Sequence, residues 1–140
     1  MILLVEDSKD DATLILRVLA KQVPKSTIRV AKDGGEALEW LSSWDGEELQ
    51  LILLDVNLPQ VSGLQVLKEL RKSPLTRHVP VVMLSGSSNN SDVTRSYDLG
   101  ANSFLNKADR AEHFEATIQQ VVPYWLHLNH PCPAPGSACK

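Results

Sequence analysis

Cysteine is nearly absent from this chain. Among 140 residues only Cys132 and Cys139 occur, both in the last nine. A disulfide framework would spread its bridges through the fold, so the core is expected to form without one, in a reducing, cytoplasmic setting. Long apolar runs are missing as well. None approaches the roughly 20 residues that cross a bilayer. No secretory leader is expected, since Met1 leads through Ile2-Leu3-Leu4-Val5 straight into acid, and no membrane partner is expected either. Basic charge is scarce: 14 Lys and Arg face 17 Asp and Glu, for a net charge of −3. The basic footprint of a nucleic-acid binder is therefore lacking. What remains, 43% apolar and 22% charged residues, is the composition of one globular domain.

The apolar pattern alternates between two kinds of segment. Short buried runs read as strands at Ile2–Val5, Ile28–Ala31, Leu51–Leu54, Val81–Leu84 and the brief Phe104-Leu105. Helical stripes lie between them. Leu14, Ile15, Val18 and Leu19 form the first, with Ser8 and Asp11 as a capping pair at its start. Ala37, Leu38 and Leu41 follow a Gly34-Gly35 turn, and Leu64, Leu67 and Leu70 follow Gly63. Val93 and Tyr97 precede a stop at Gly100, and Phe114, Ile118, Val121, Val122 and Trp125 make the last stripe. Five strand–helix repeats predict an α/β fold, a doubly wound five-stranded parallel sheet with helices on both faces. Pro123 interrupts the last stripe, so that helix either kinks there or ends, with Pro123 opening a separate short turn. The domain is expected over residues 1–129, followed by a Pro-rich flexible tail over 130–140. Close to one another at this end, His127, His130, Cys132 and Cys139 match no standard zinc spacing. Core packing is the expected role of Trp40, Trp44 and Trp125, with Trp125 also placed to anchor an interface.

In an open α/β sheet, ligands bind beyond the carboxyl ends of the strands. Glu6-Asp7 follow the first strand here, Asp55 the third, Ser85 the fourth and Lys107 the fifth. Taken singly, each has a plainer reading: a helix cap, a turn hydroxyl, a surface lysine. Together they have the chemistry of phosphorylation. Clustered carboxylates repel one another and attract a hard cation such as Mg²⁺, and a carboxylate can serve as the nucleophile toward phosphorus. Lys107 and Ser85 add positive charge and a hydrogen bond to the transferred group.

These segments resemble the receiver domain of two-component response regulators. The likeness rests on Leu3-Leu4-Val5-Glu6-Asp7-Ser8, on Leu53-Leu54-Asp55-Val56-Asn57-Leu58-Pro59 with Gly63, on Val81-Val82-Met83-Leu84-Ser85-Gly86, and on Gly100-Ala101 with Phe104-Leu105-Asn106-Lys107. It implies a flavodoxin-like (βα)5 fold with strand order 2-1-3-4-5. It also implies Asp55 as phosphoacceptor, and Mg²⁺, or Mn²⁺ in its place, held by Glu6, Asp7, Asp55 and the backbone carbonyl of Asn57. Ser85 and Lys107 would contact the phosphoryl group, Ser85 and Phe104 would form the switch, and Asn57 and Ser87 would tune the lifetime. Ala108 departs from the family pattern, which has a proline and a cis bond after the lysine. A cis bond before a non-proline costs about 2.5–4 kcal/mol, so a trans bond is the alternative.

Within the family the chain is similar to the stand-alone regulators of bacterial and cyanobacterial phytochromes, on Asn57-Leu58-Pro59, Ser73–Pro80, Ser96–Ser103 and Tyr124-Trp125-Leu126. That likeness implies a phytochrome-type sensor histidine kinase as phosphodonor. It further implies a homodimer through the fourth helix, fifth strand and fifth helix, or through the C-terminal extension. The expected function is that of a single-domain response regulator whose surface changes on phosphorylation, not of a turnover enzyme on external substrates. Three rivals stand beside it. A pseudo-receiver would bind partners without phosphorylation. A dehalogenase-type phosphatase would need an acid where Asn57 stands. A flavin-binding domain would place a phosphate against Glu6-Asp7, which would repel it.

Overall fold

The computed structural model describes residues 1–44, 48–87, 89–107 and 111–133, with the side chain of Ala111 excepted. The strands are β1 (Ile2–Val5), β2 (Ile28–Ala31), β3 (Leu51–Asp55), β4 (Val81–Ser85) and β5 (Ser103–Asn106). The helices are α1 (Lys9–Ala20), α2 (Gly34–Ser42), α3 (Gly63–Lys72), α4 (Asn90–Asp98) and α5 (Ala111–Pro123). All strand pairs are parallel, in the order β2-β1-β3-β4-β5. Central strands buried on both faces read as unbroken apolar runs, which is why β1, β3 and β4 could be placed so closely from sequence.

The period-2 alternation of each strand sorts its side chains into two layers. Leu3, Val5, Ile52, Leu54, Val81 and Met83 point to one side and pack with Ala37, Leu64, Val66, Leu67 and Leu70 of α2 and α3. Ile2, Leu4, Leu51, Leu53, Val82 and Leu84 point to the other and meet Ile15, Val18 and Leu19 of α1 and Phe114, Ile118 and Val122 of α5. Register ties the layers together: Leu4 lies beside Leu53, which lies beside Val82. Truncating one such leucine to alanine costs about 2–5 kcal/mol.

Helix starts follow local chemistry. Ser8 Oγ accepts from the Asp11 N–H at 3.3 Å. Asp33 caps α2 by accepting from the Glu36 N–H at 2.7 Å, so Gly34 and Gly35 form the first helical turn rather than a turn ahead of it. Ser62 and Gln65 make a reciprocal capping box on α3. The apolar face expected on α4 differs: Tyr97 is exposed, and the buried position is Ser96, whose hydroxyl donates to the Asp92 carbonyl. A nine-residue helix this polar leaves the apolar contact to the residues beyond its end, Leu99 and Ala101. The α-helix of α5 ends at Pro123 and gives way to a wider π-type turn, Tyr124–Leu128; this is the second of the two arrangements expected for the proline. Trp125 packs on the α1–α5 layer, while Trp40 and Trp44 stack at 6.3 Å against the other.

Arg71, near the end of α3, organises the edge opposite the strand carboxyl ends. Its guanidinium donates to the Gly100 carbonyl from Nε and Nη2, and from Nη1 to the carbonyls of Thr76, Arg77 and Val79 at 3.2, 3.1 and 2.8 Å. Nη2 also donates to Asn102 Oδ1, which accepts in addition from the Val81 N–H. One planar fork thus joins the entries of β4 and β5.

Candidate functional site

The carboxyl ends of β1, β3, β4 and β5 meet at one edge, and their backbones hold the side chains there. The Val56 N–H donates to the Leu84 carbonyl at 2.8 Å and the Lys107 N–H to the Ser85 carbonyl at 2.6 Å, so pairing runs past each strand end. The Glu6 N–H donates to the Ala31 carbonyl at 3.1 Å. Two short turns then fold back on the strand-end side chains: the Asn57 N–H donates to Asp55 Oδ1 at 3.2 Å, and the Ser87 N–H to Ser85 Oγ at 3.1 Å. Such Asx and Ser turns fix the orientation of the carboxylate and the hydroxyl.

The loop from β3 to α3 is compressed around Asp55. Gly63 N–H donates to the Val56 carbonyl at 2.9 Å, and a Cβ on Gly63 would overlap the Asp55 carbonyl oxygen. Gln60 takes a positive φ of 64°, and the Val61 N–H closes a three-residue turn onto the Pro59 carbonyl at 2.7 Å. A left-handed conformation is costly for a residue with a β-carbon.

Glu6, Asp55 and Ser85 are 2%, 3% and 0% exposed, whereas Asp7, Asn57 and Ser87 lie at the exposed mouth. One carboxylate oxygen each from Glu6, Asp7 and Asp55 lie within 4.8 Å of one another. An all-oxygen set of this size fits a hard divalent cation such as Mg²⁺ or Mn²⁺. Lys107 Nζ reaches into the same cluster, at 2.7 Å from Glu6 Oε1, 3.0 Å from Asp11 Oδ2 and 3.4 Å from Asp55 Oδ2. Burial, with the facing Asp55 carboxylate, pushes Glu6 up to about 8 against the opposing pull of Lys107. Burial by itself lowers Lys107, but its hydrogen bonds to Glu6 and Asp11 and the charges of Asp55 and Glu6 more than offset this, and hold it above its ordinary value. Glu6 is therefore held largely protonated around neutrality.

Phe104 is half-buried beneath the α2–α3 layer, beside Met83. The peptide bond between Lys107 and Ala108 falls outside the described residues, as does Cys139. Asp11 is the site neighbour that the sequence did not single out. Read there as a cap partner, it stands in the first turn of α1, and its carboxylate faces Lys107, 96 positions away.

Residues 2–119 match the family model described as "Response regulator receiver domain". The chain is 36% identical to response regulator Rcp1 of Synechocystis over 90% of its own length and 88% of that protein. Identity is also 36% with the probable methanogenesis regulatory protein FilR2 of Methanothrix harundinacea, over 99% of this chain and 89% of that one. Among solved structures, the phosphorylated cyanobacterial phytochrome response regulator RcpA superposes with a TM-score of 0.87 at 33% identity, covering 94% of this chain and 97% of that one. The Mn²⁺-bound form of Rcp1 gives 0.81 at 34%, covering 94% and 98%. Among the described residues no helix is long and apolar enough to cross a membrane.

Proposed function

This chain belongs to the response regulator receiver family, and from that premise we propose that it takes a phosphoryl group from a sensor histidine kinase onto Asp55. The observation that carries this reading is the meeting of Glu6, Asp7, Asp55 and the Lys107 ammonium at one sheet edge, with buried Ser85 beside them. An Asp55 carboxylate oxygen forms the new bond to phosphorus. The bond from phosphorus to the donor's imidazole nitrogen breaks, and its electron pair leaves with the imidazole. Glu6, Asp7, Asp55 and the Asn57 carbonyl would hold Mg²⁺, which would supply positive charge to the transferring oxygens. Lys107 offers a second positive charge. Ser85 Oγ accepts from the Ser87 N–H, which leaves its O–H to donate to a phosphoryl oxygen. Asn57 and Ser87, at the mouth, govern how water reaches the aspartyl phosphate and so its lifetime.

Output arises from a two-state switch. Ser85, drawn toward the new phosphoryl group, makes room for Phe104 to turn inward, and the α4–β5–α5 surface changes. Tyr97, Tyr124 and Leu128, which are 50%, 46% and 76% exposed, give that surface and the turn after α5 an apolar character suited to a homodimer. The naming of RcpA as a phytochrome response regulator favours a phytochrome-type kinase as the donor. The test is intact mass after incubation with Mg²⁺ and phosphoramidate. One phosphoryl group is expected on the parent and none on Asp55→Asn. A folded parent that gains nothing would instead indicate a phosphorylation-independent binding module.

A further inference from the structure

We infer that Asp11 is a positioning residue: it gives Lys107 a partner outside the metal-binding carboxylates, so the ammonium can yield Glu6 and Asp55 to a divalent cation. The inference rests on the receiver reading above. An ammonium has three N–H donors, and Lys107 Nζ has three carboxylate oxygens around it, at 2.7, 3.0 and 3.4 Å. Two of these, on Glu6 and Asp55, belong to the trio that fits a cation, and only Asp11 stands apart from that trio. The Lys107 side chain is 9% exposed, so an ammonium stripped of partners there would be a buried unpaired charge. A divalent cation on Glu6 and Asp55 draws off two of its three carboxyl partners and repels it. Asp11 keeps the third. Its side chain is 42% exposed, in the first turn of α1, where the helix dipole favours negative charge. Its own N–H on Ser8 Oγ fixes its backbone.

The experiment is a calorimetric Mg²⁺ titration of the parent, Asp11→Asn, Lys107→Met and the double variant, with thermal melts to establish folding. Lys107→Gln replaces Lys107→Met if the latter does not fold. In the parent background, Asp11→Asn should weaken Mg²⁺ binding about two- to fivefold, the range of a partly exposed ion pair. Without Lys107 the same substitution should change affinity by less than about twofold. Asp11→Glu, which keeps the charge, should restore most of the parent affinity. Equal losses in both backgrounds would mean that Asp11 acts through its charge on the metal directly, and would overturn the inference. So would no loss in the parent, or a folded parent that binds no Mg²⁺. Intact-mass phosphorylation of the same proteins separates the two claims. A parent that binds Mg²⁺ with the expected Asp11 dependence but gains no phosphoryl group sinks the receiver reading alone.

Discussion

Gly63 is the position where a single methyl group should do the most local damage. It is the first residue of α3, and the helix enters so close to the end of β3 that a Cβ would lie 2.8 Å from the Asp55 carbonyl carbon and 2.9 Å from Val56 Cα. It would lie closer still to the Asp55 carbonyl oxygen. Ordinary contacts begin near 3.4 Å, and the neighbour is backbone rather than a flexible side-chain tip. Gly63→Ala therefore forces α3 off the strand end by more than about half an ångström in an interior packed as densely as a crystal. Overpacking of this kind costs about 1–3 kcal/mol, and rigid backbone on one side places the expectation near the upper end, about 3 kcal/mol. The gain in helix propensity from Gly to Ala returns at most about 1 kcal/mol. Urea unfolding should show a net loss of about 2 kcal/mol with an unchanged m-value. Because the clash falls on the Asp55 backbone, phosphorylation by phosphoramidate should slow even where the protein is fully folded. Stability and phosphorylation rate both within error of the parent would refute the reasoning.

Arg71→Lys should lose about 2–4 kcal/mol in urea unfolding, nearly as much as Arg71→Ala, because a point charge cannot reach the carbonyls of Thr76, Arg77, Val79 and Gly100 together; parent-like stability in the lysine variant would contradict this. Gln60→Gly should gain about 1 kcal/mol by relieving the positive φ, less the entropy that glycine adds to the unfolded chain; a loss in the same assay would show that the Gln60 conformation carries no strain. Glu6, with its acid raised from 4.5 to about 8 by burial and the facing Asp55, sets two pH dependences. Across that window the folded state binds the extra proton, so Glu6 lowers metal-free stability as pH rises from about 4.5 to 8, by at most about 1.4 kcal/mol per unit, with no further change above. Mg²⁺ must displace that proton, so its affinity should climb with pH up to about 8 and then level; titrations at pH 6 and pH 8 giving equal affinity would refute this.

Much of the site was legible because of what a parallel sheet does to sequence. Every strand of such a sheet ends at the same edge, so the residue after each apolar run is a candidate neighbour of the others. Glu6, Asp55, Ser85 and Lys107 could be collected that way without knowing a single distance. The strand order was implied by the resemblance to receiver domains; the unbroken apolar runs mark only which strands are buried on both faces, as β1, β3 and β4 are. Residues whose role comes from another element's path were not legible. Arg71 looks like any basic residue in the last turn of a helix until the turns at Thr76–Val79 and Gly100 are brought around it. Tyr97 fitted an apolar stripe four positions from Val93, but α4 is short and polar, and the tyrosine faces solvent.

Asp11 shows where strand-end reasoning stops. Its local signal was complete and misleading: three residues after Ser8, at the start of an apolar stripe, it looked like a capping partner, and its N–H does cap on Ser8. The carboxylate was left unassigned by that role. The first turn of α1 follows closely on the end of β1, and there the Asp11 carboxylate meets the lysine arriving from β5. The chemistry of this edge is thus set by strand ends together with the first turn of the helix that β1 feeds. A buried ammonium with two partners among the carboxylates that fit a cation and one outside them can give way to such a cation without losing all of its counter-charge.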